Sequence, residues 1–332
     1  MRKPTLVDVA REAGVSRATA SRVLAGASTV DQSMVLAVRQ AAARLSYRTN
    51  VAARSLAGGR TGAVAIVLAA GELDPFSGSF VAAPLKGATA TLLAASQQPA
   101  LFLADPSRLD TLVAYLAAQY VDGAVVILQH EISTITQALS AVDLPIVFVG
   151  RPMGESTDGV PFVDSDNYAG GRLAAERLVA LGRTRIGVIS GPVDMAASSD
   201  RVRGWRDVLT EYGLGTRAVA RGDFTMASGS AAMARLLSRH PDLDAVFAGS
   251  DLMAVGAMRV LEASGRIVPD DIALVGFDDT VVAATSEPPL TSVRQPLEQM
   301  GRVAAELVLD LVAGRSVRPH WLDTTLVIRD SA

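Results

Sequence analysis

Arginine and hydroxyl side chains are concentrated in one short stretch near the start of the sequence, "VSRATASRVL" at residues 15–24. A guanidinium group presents a fork of donors that fits a guanine edge or a phosphate, and hydroxyl groups bind phosphate oxygens. Residues 1–60 contain ten Arg or Lys and three Asp or Glu, a charge of +7, which leaves −10 on the remaining residues. This asymmetry favours a polyanion-binding module joined to a domain with another task, although a solvated basic helix surface would give the same count.

The spacing of apolar residues predicts two short helices joined by a turn in this segment. Thr5 can cap the first helix and Gly14 can end it, while Ser16 can cap the second. The second helix would turn Ala20 and Val23 inward. Its outer side would hold Arg17, Ala18, Ser21 and Arg22.

A third helix and a linker follow. Asp31 can cap a helix whose apolar face completes a small three-helix cluster. Asn50 can then cap a short helix that ends near Leu56, before three glycines at positions 58, 59 and 62.

From residue 62 the pattern changes to short runs rich in Val and Ile, separated by helical stretches. Such alternation is typical of parallel sheets covered by helices, so we expect a doubly wound body of two lobes. Strands are expected near 62–69, 99–104, 122–128, 145–149, 185–190, 244–248 and 272–277. Helices are expected near 80–96, 107–119, 132–142, 167–182, 199–212, 227–239 and 250–264. A short strand, an amphipathic helix and a final strand at "DTTLVIRD" follow.

Catalytic and cofactor-binding motifs are missing from the sequence. Cysteine is absent, and the three histidines, at 130, 240 and 320, lack zinc spacing. The glycines of "GLGTRA" follow a predicted helix rather than a strand, and no Gly-x-Ser-x-Gly elbow occurs. We therefore expect no enzyme, no cofactor and no metal. With no visible export signal and no apolar run of about 20 residues, we expect a cytoplasmic protein away from the membrane.

Several segments resemble, in order and spacing, the LacI/GalR family of transcriptional regulators. They include "TLVDVAREAGVSRATASRVL", "ARSLAGGRTG", "VDSDNYAGGRLAAERLVALGRTRIGVISGP", "SDLMAVGAMRVL", "DIALVGFDD" and "PPLTSVRQP", so the likeness covers essentially the whole chain. It implies an α/β protein with a three-helix helix-turn-helix headpiece in 1–48 and a hinge helix and linker in 49–61. A two-lobed, periplasmic-binding-protein-like body for effector binding and dimerisation would fill 62–332. Lobe one would comprise about 62–161 and 291–320, and lobe two about 162–290 and 321–332.

The resemblance assigns DNA contacts to the headpiece and the hinge. The second helix would enter the major groove, where Arg17 can meet a guanine edge and Ala18 a thymine methyl group. Asn50 would open the hinge helix, and Leu56 would be an apolar wedge in the minor groove, although a lone Leu at that spacing is ordinarily a core contact of its own helix. Phosphate contacts or helix caps are expected of Thr5, Ser16, Thr19, Ser21 and Arg22, with capping and phosphate contact given equal weight for Thr5 and Ser16.

The sequence departs from the family pattern at four positions. Thr49 stands where Pro is frequent, Ser46 where Gly or Asn is frequent, and Ala20 where Val is usual. We expect these changes to lower DNA affinity, because losing Pro removes a fixed φ and Ala fills less of the headpiece core. Gly150 replaces a frequent Asp, which removes one polar ligand contact. Either the effector has fewer hydroxyls or another residue supplies the acceptor.

The resemblance also places an effector in a cleft at the carboxyl ends of the strands. A sugar needs donors and acceptors for its hydroxyls and an apolar face for its C–H groups. The expected effector-binding residues are Phe76, Phe80, Arg201, Phe224, Ser250 and Asp278. Four other acids are expected mainly to cap helices or form turns, namely Asp164, Asp166, Asp251 and Asp279.

The resemblance therefore implies a repressor that binds a pseudo-palindromic double-stranded operator as a homodimer and is controlled by a small effector, a sugar or a derivative. A dimer is preferred to a tetramer because the chain ends at "TLVIRDSA" without an apolar heptad. A periplasmic sugar receptor has a similar body, but it would have an export signal and no helix-turn-helix, so we rank it lower.

Overall fold

The computed structural model describes residues 4–24, 30–47, 60–69, 80–127, 132–140, 142–153 and 159–332. The chain divides into two units, Met1–Thr61 and Gly62–Ala332, called here the headpiece and the body. The described headpiece helices are α1 (Leu6–Glu12), α2 (Arg17–Leu24) and α3 (Gln32–Arg44).

Side-chain caps fix where the headpiece helices begin. Thr5 and Asp8 form a reciprocal capping box on α1, in which the Thr5 amide donates to Asp8 over 2.9 Å. The Ser16 hydroxyl accepts the Thr19 amide at 3.0 Å, and the Asp31 carboxylate accepts the Ser33 amide at 2.8 Å. The predicted starts of all three helices are thus confirmed.

Small residues fill the centre of the headpiece. Val9 from α1, Ala20 from α2 and Val38 from α3 are each fully buried. Ala20 therefore lies at the centre of this core. Ser46, after α3, has a φ of +48°, a conformation that Gly adopts at no cost and that a residue with a Cβ adopts under strain.

The body alternates strands and helices along the chain. Its first part contains β1 (Ala63–Ala69), α4 (Ala82–Ala94), β2 (Gln98–Ala104), α5 (Leu109–Ala117), β3 (Gly123–Ile127), α6 (Ile132–Ser140), β4 (Ile146–Val149) and β5 (Phe162–Ser165). It continues with α7 (Asn167–Ala180), β6 (Ile186–Ser190), α8 (Ala196–Glu211), β7 (Val219–Arg221), α9 (Met226–Arg239), β8 (Ala245–Ala248), α10 (Asp251–Ala263) and β9 (Ala273–Asp278). The last elements are α11 (Val281–Thr285), β10 (Thr291–Arg294), α12 (Leu297–Val312), β11 (His320–Leu322) and β12 (Thr325–Val327).

Two six-stranded sheets form the centres of two lobes. The first has the strand order β11-β5-β4-β3-β1-β2, and the second has the order β12-β10-β9-β8-β6-β7. Neighbouring strands are parallel throughout except for β12, which pairs antiparallel with β10. Central strands such as β3 and β6 are buried along their whole length, which explains their continuous apolar runs. The predicted doubly wound, two-lobed architecture is confirmed.

Each predicted strand and helix of the body is present, but four short elements were not predicted. They are β5, β7, β11 and α11, of three to five residues each. Such lengths leave no measurable periodicity, and β5 also contains the polar residues Asp164 and Ser165. Pairing with neighbouring strands, rather than local pattern, defines these elements.

The expected lobe boundaries, at about residues 162, 291 and 321, each lie a few residues too early. β5 pairs with β4 through Phe148 and Phe162, so it belongs to the first sheet. β10 pairs with β9 through Thr291 and Val275, so it belongs to the second. The chain crosses between the lobes after β5, after β10 and between β11 and β12.

The three crossing segments are hydrogen-bonded to one another. The Asp166 amide donates to the Leu322 carbonyl at 2.8 Å, and the Thr324 hydroxyl donates to the Asp166 carbonyl at 3.4 Å. The Ser165 hydroxyl donates to the side-chain carbonyl of Gln295. The three crossing segments between the lobes therefore form one small hydrogen-bonded cluster and are not independent of one another.

Two glycines allow α7 and α8 to pack at close range. A Cβ on Gly171 would lie 2.1 Å from the Arg201 carbonyl oxygen, and one on Gly204 would lie 2.2 Å from the Tyr168 carbonyl oxygen. Only hydrogen atoms fit at these positions, so the backbones of the two helices are almost in contact. This contact sets the position of α8.

We expect Gly171→Ala to lower the free energy of unfolding by about 1–3 kcal/mol, because the added methyl group must push α8 away from α7. Urea denaturation measures the effect. Gly215→Ala is the matched control, since a Cβ there would meet no atom within 4 Å. Equal stability of Gly171→Ala and the wild type would show that the helices do not pack as described.

Candidate functional site

The basic residues of α2 lie on its outer face. Arg17, Ala18, Ser21 and Arg22 are exposed, whereas Ala20 is buried, as predicted. Neither guanidinium group forms an ion pair within the described part of the headpiece. This leaves a cationic helix face free to meet an anionic partner.

The predicted headpiece contacts remain predictions at the level of single residues. Thr5 and Ser16 cap α1 and α2, and Thr19 is half-buried beside Ser16. The capping role is thereby established, and a phosphate contact by the same hydroxyls is not tested. Asn50 and Leu56 lie outside the described residues.

A cavity opens between the lobes at the carboxyl ends of the strands. Polar groups reach it from both sheets, Asp164 from β5 in the first and Asp278 from β9 in the second. Its lining consists of Phe80, Gly150, Arg151, Asp164, Met195, Ala196, Ala197, Arg201, Phe224, Asp278 and Gln295.

Arg201 is the central cation of this cavity and is fixed on several sides. Its side chain is buried, its Nε donates to the Asn167 side chain at 2.8 Å, and one terminal nitrogen donates to the Gly249 carbonyl. The guanidinium carbon lies 3.7 Å from the centre of the Phe277 ring, and a terminal nitrogen lies 3.8 Å from Asp278. Arg201 is therefore preorganised, so a ligand need not order it.

Two carboxyl groups face this cation from different lobes. Asp164 accepts the backbone amides of Arg151 at 3.1 Å and of Ser165 at 2.8 Å. Asp278 accepts the side-chain amide of Gln295 at 2.6 Å, so the crossing segment after β10 holds its position. Each lobe thus contributes an acceptor to the same cavity.

Burial controls the ionisation of these groups. Desolvation raises the pKa of Asp164 to about 6, opposed by hydrogen bonds from the Arg151 and Ser165 amides and by the charge of Arg201. Burial also raises the pKa of Asp278, against the attraction of Arg201. Desolvation lowers the pKa of the Arg201 guanidinium, while the charges of Asp278, Asp164 and Asp251 oppose that shift.

Aromatic rings reach the cavity from both lobes. Phe80 precedes α4 in the first lobe, and Phe224 lies between β7 and α9 in the second. Phe224 is buried and has a φ of +70°, a strained conformation for a residue with a Cβ. A Cβ at Gly191 would lie 2.2 Å from the Phe224 ring. The ring can therefore occupy this position only because residue 191 has no side chain.

An ion pair joins the lobes at the cavity. Arg151, after β4, donates to Asp200 on α8, and both side chains are only partly exposed. The adjacent Gly150 has a φ of +93°, and a Cβ there would have no atom within 4 Å. The missing Asp at this position therefore leaves open space beside Arg151.

Four of the predicted effector residues, Phe80, Arg201, Phe224 and Asp278, line the cavity. Ser250 does not: it caps α10, its hydroxyl accepting the Met253 amide at 3.3 Å. Phe76 lies outside the described residues.

Two expected caps are wrong. Asp251 is the first residue of α10 rather than its cap, and it accepts from the Ser292 hydroxyl and the Thr280 amide at 2.6 and 2.7 Å. Asp166 does cap α7, at 2.8 Å from the Ala169 amide, whereas Asp164 lies in β5, before the cap position, and faces the cavity.

Sequence reasoning missed three polar lining residues, Arg151, Asp164 and Gln295. Arg151 and Gln295 each follow a strand, at the sheet edge where ligands are expected, so their positions offered a signal. Asp164 offered none, because it resembled a capping residue until β5 was known.

Proteins with similar sequences have the same two parts, a DNA-binding headpiece and a two-lobed body. A family model described as bacterial regulatory proteins of the lacI family matches residues 5–50, and one described as a periplasmic binding protein-like domain matches residues 175–332. The transcriptional regulator CelR of Thermobifida fusca is 43% identical over 99% of this chain and 98% of its own. GalR of Escherichia coli (strain K12) is 34% identical over 98% of this chain and 95% of its own.

This chain belongs to the LacI family. The relatives named above are DNA-binding transcriptional regulators and not enzymes. This chain is a regulator of the same kind. A solved CelR–cellobiose complex is similar with a TM-score of 0.78 and 41% identity, covering 99% of this chain and 100% of that one. A lac repressor dimer bound to operator is similar with a TM-score of 0.84 and 28% identity, covering 99% of both chains.

The described residues contain neither a membrane-spanning helix nor a metal-binding cluster. None of their helices is long and apolar enough to cross a membrane. Within the same residues, no group of three His, Asp or Glu side chains is arranged to hold a metal ion.

We expect Asp164→Asn to gain stability relative to the wild type as the pH rises from about 4 to about 7. The raised pKa means that native Asp164 binds its proton more tightly than the unfolded chain does, so the wild type loses up to about 3 kcal/mol over this range. The Asn side chain does not titrate. Urea denaturation of both proteins at several pH values measures the difference between their free energies of unfolding. Asp278 is present in both proteins, so its titration cancels in that difference. Parallel pH profiles would contradict the raised pKa.

Proposed function

We propose that this chain is a homodimeric repressor that binds a pseudo-palindromic operator and is controlled by a neutral sugar in the cavity between its lobes. The observation that supports the sugar is one cavity that combines a buried cation, two carboxyl groups and two aromatic rings.

The chemistry of the lining suits a polyhydroxylated ligand. Asp164 and Asp278 offer acceptors, and the guanidinium of Arg201 and the amide of Gln295 are donors close by. Phe80 and the ring of Phe224 offer apolar faces against which the C–H groups of a pyranose can pack. Fixed charges of both signs favour a ligand without net charge.

Gly150 leaves one wall of the cavity without a side chain. No atom lies within 4 Å of a Cβ placed there, so nothing at this position stands between a ligand and Arg151. The similar protein CelR is named in complex with cellobiose, a disaccharide. We therefore take a β-linked glucose disaccharide as the first candidate effector.

Ligand binding would act through the orientation of the lobes. A sugar that contacts Asp164 and Asp278 together bridges the two sheets, so it stabilises the lobe orientation in which both contacts are made. The lobe orientation would in turn affect the linker, because β1 of the first lobe follows it directly in sequence. Effector and operator affinities are then coupled reciprocally.

Dimerisation is supported by an apolar surface on lobe one. Leu93 of α4, Leu101 and Leu103 of the edge strand β2, and Tyr115 of α5 are each more than two-fifths exposed. An exposed apolar edge strand is a ready surface for association. The similar lac repressor is described as a dimer on its operator, which is consistent with two headpieces on two half-sites.

The finer domain division is also part of the proposal. The headpiece would comprise residues 1–48 and the hinge helix and linker 49–61, with Leu56 as the minor-groove wedge. The compact unit that ends at Thr61 supports the outer limit of this division.

We expect cellobiose to raise the melting temperature of the full-length protein in a saturable manner. A ligand at about 100 times its Kd adds about 2.7 kcal/mol to the native state. Asp278→Asn, which keeps the side-chain volume, should weaken binding by at least about tenfold because it removes a charged acceptor. Asp110→Asn, an exposed acid of α5, is the matched control. If neither cellobiose, maltose nor any monosaccharide binds, the sugar assignment is wrong.

We expect Arg17→Ala to weaken operator binding and to relax base preference at one position, by about 1–3 kcal/mol. Selection of binding sites from random DNA followed by anisotropy titration at fixed salt measures both effects. Arg39→Ala removes the same charge from an exposed position on α3 and should lower affinity evenly across sequences or not at all. An unaltered base preference in Arg17→Ala would remove this residue from base recognition.

A further inference from the structure

A second pocket lies on lobe two, between α8 and the edge strand β7. Its volume is about 250 Å³, and its lining includes Ser190 at the end of β6, Arg221 at the end of β7, and Ser198, Ser199 and Arg206 from α8. Ser190 and Arg221 are partners in the β6–β7 register, so they lie side by side at the carboxyl edge of the sheet. The Met195–Arg201 face of α8 lines the cavity described above, and a different face lines this pocket.

The two arginines of this pocket are free of acidic partners. Among residues 159–332, Arg206 and Arg221 form no ion pair, although the other arginines of α8 do: Arg201 with Asp278 and Arg203 with Asp200. The pocket lining contains no Asp or Glu. Two like charges at one pocket repel each other and are stabilised by a shared anion.

A buried hydroxyl in the same lining lacks a hydrogen-bond partner. Ser198 is 4% exposed, and no described group bonds its Oγ. An unsatisfied buried polar group is costly, so one that lines a pocket points to an absent partner. Ser198 lies in the first turn of α8. The N-cap residue of this helix, Met195, forms no side-chain capping hydrogen bond. The uncapped amides add a positive potential at this end.

We propose that this pocket is an anion site for a phosphate group, free or as a monoester. Two guanidinium groups can bind phosphate oxygens in a bidentate manner, and the hydroxyls of Ser198 and Ser199 complete the donor set. A carboxylate would use fewer of these donors. The site is separate from the sugar cavity, and its test does not depend on which sugar binds there.

Thermal unfolding of the full-length protein in increasing inorganic phosphate, at pH 7.5 and with ionic strength held constant by chloride, tests the proposal. We expect the melting temperature to rise and to saturate. Arg206→Gln and Arg221→Gln should each weaken phosphate binding by about tenfold, the loss expected for one charge-assisted hydrogen bond. Ser198→Ala should weaken it less while leaving the pocket its shape.

Arg239→Gln is the matched control, because Arg239 is exposed at the end of α9 and outside the pocket. A rise of the same size in the Arg206→Gln, Arg221→Gln double variant would overturn the proposal, since it would report general salt stabilisation or binding to the headpiece. No saturable rise in the wild type would overturn it as well.

Glucose 6-phosphate and glucose distinguish the source of the phosphate group. Tighter binding of glucose 6-phosphate than of inorganic phosphate, lost in the double variant, identifies a phosphorylated metabolite as the ligand. Equal binding of the two, with the same loss, identifies free phosphate.

Discussion

The buried guanidinium of Arg201 is the group on which the arrangement of the body depends. Its charge lies out of water, so it is tolerated only because Asn167, the Gly249 carbonyl, Asp278 and the Phe277 ring surround it. These partners come from α7, from the turn after β8 and from β9, so a single side chain ties three parts of lobe two together. Removing one partner would leave a buried charge uncompensated, which typically costs about 3–5 kcal/mol.

The cavity and the connection between the lobes form one hydrogen-bonded system. Gln295 donates to Asp278 in the cavity and accepts from Ser165 in another crossing segment. Asp166 caps α7 with its side chain, while its backbone bonds Leu322. A ligand that displaces Asp278 would therefore perturb the segments about which the lobes turn. This coupling needs only short contacts, because the Gln295 side chain bonds both Asp278 in the cavity and Ser165 in a crossing segment.

The sequence predicted the long elements and part of the cavity. Continuous apolar runs gave the central strands, and caps such as Thr5 and Asp31 gave the helix starts, since both signals are local. Arg201, Phe224 and Asp278 were found because their motifs resemble family positions. Asp164 was misassigned, since its role depends on the pairing of β5 with β4, which no local pattern encodes. Ser250 caps α10 and is not among the lining residues of the cavity, and a capping hydroxyl and a ligand-binding hydroxyl look alike in a sequence.

The discontinuous lobes have a consequence for synthesis on the ribosome. Lobe one takes α12 and β11 from residues 297–322, so it lacks a covering helix and an edge strand until nearly the whole chain has emerged. The headpiece helices, by contrast, end at Arg44 and can fold as soon as they leave the exit tunnel. A translation product that stopped before α12 would combine a complete headpiece with a body whose apolar surfaces are uncovered. Such fragments would be able to contact DNA but not to respond to an effector, and chaperones and proteases would be the main means of removing them.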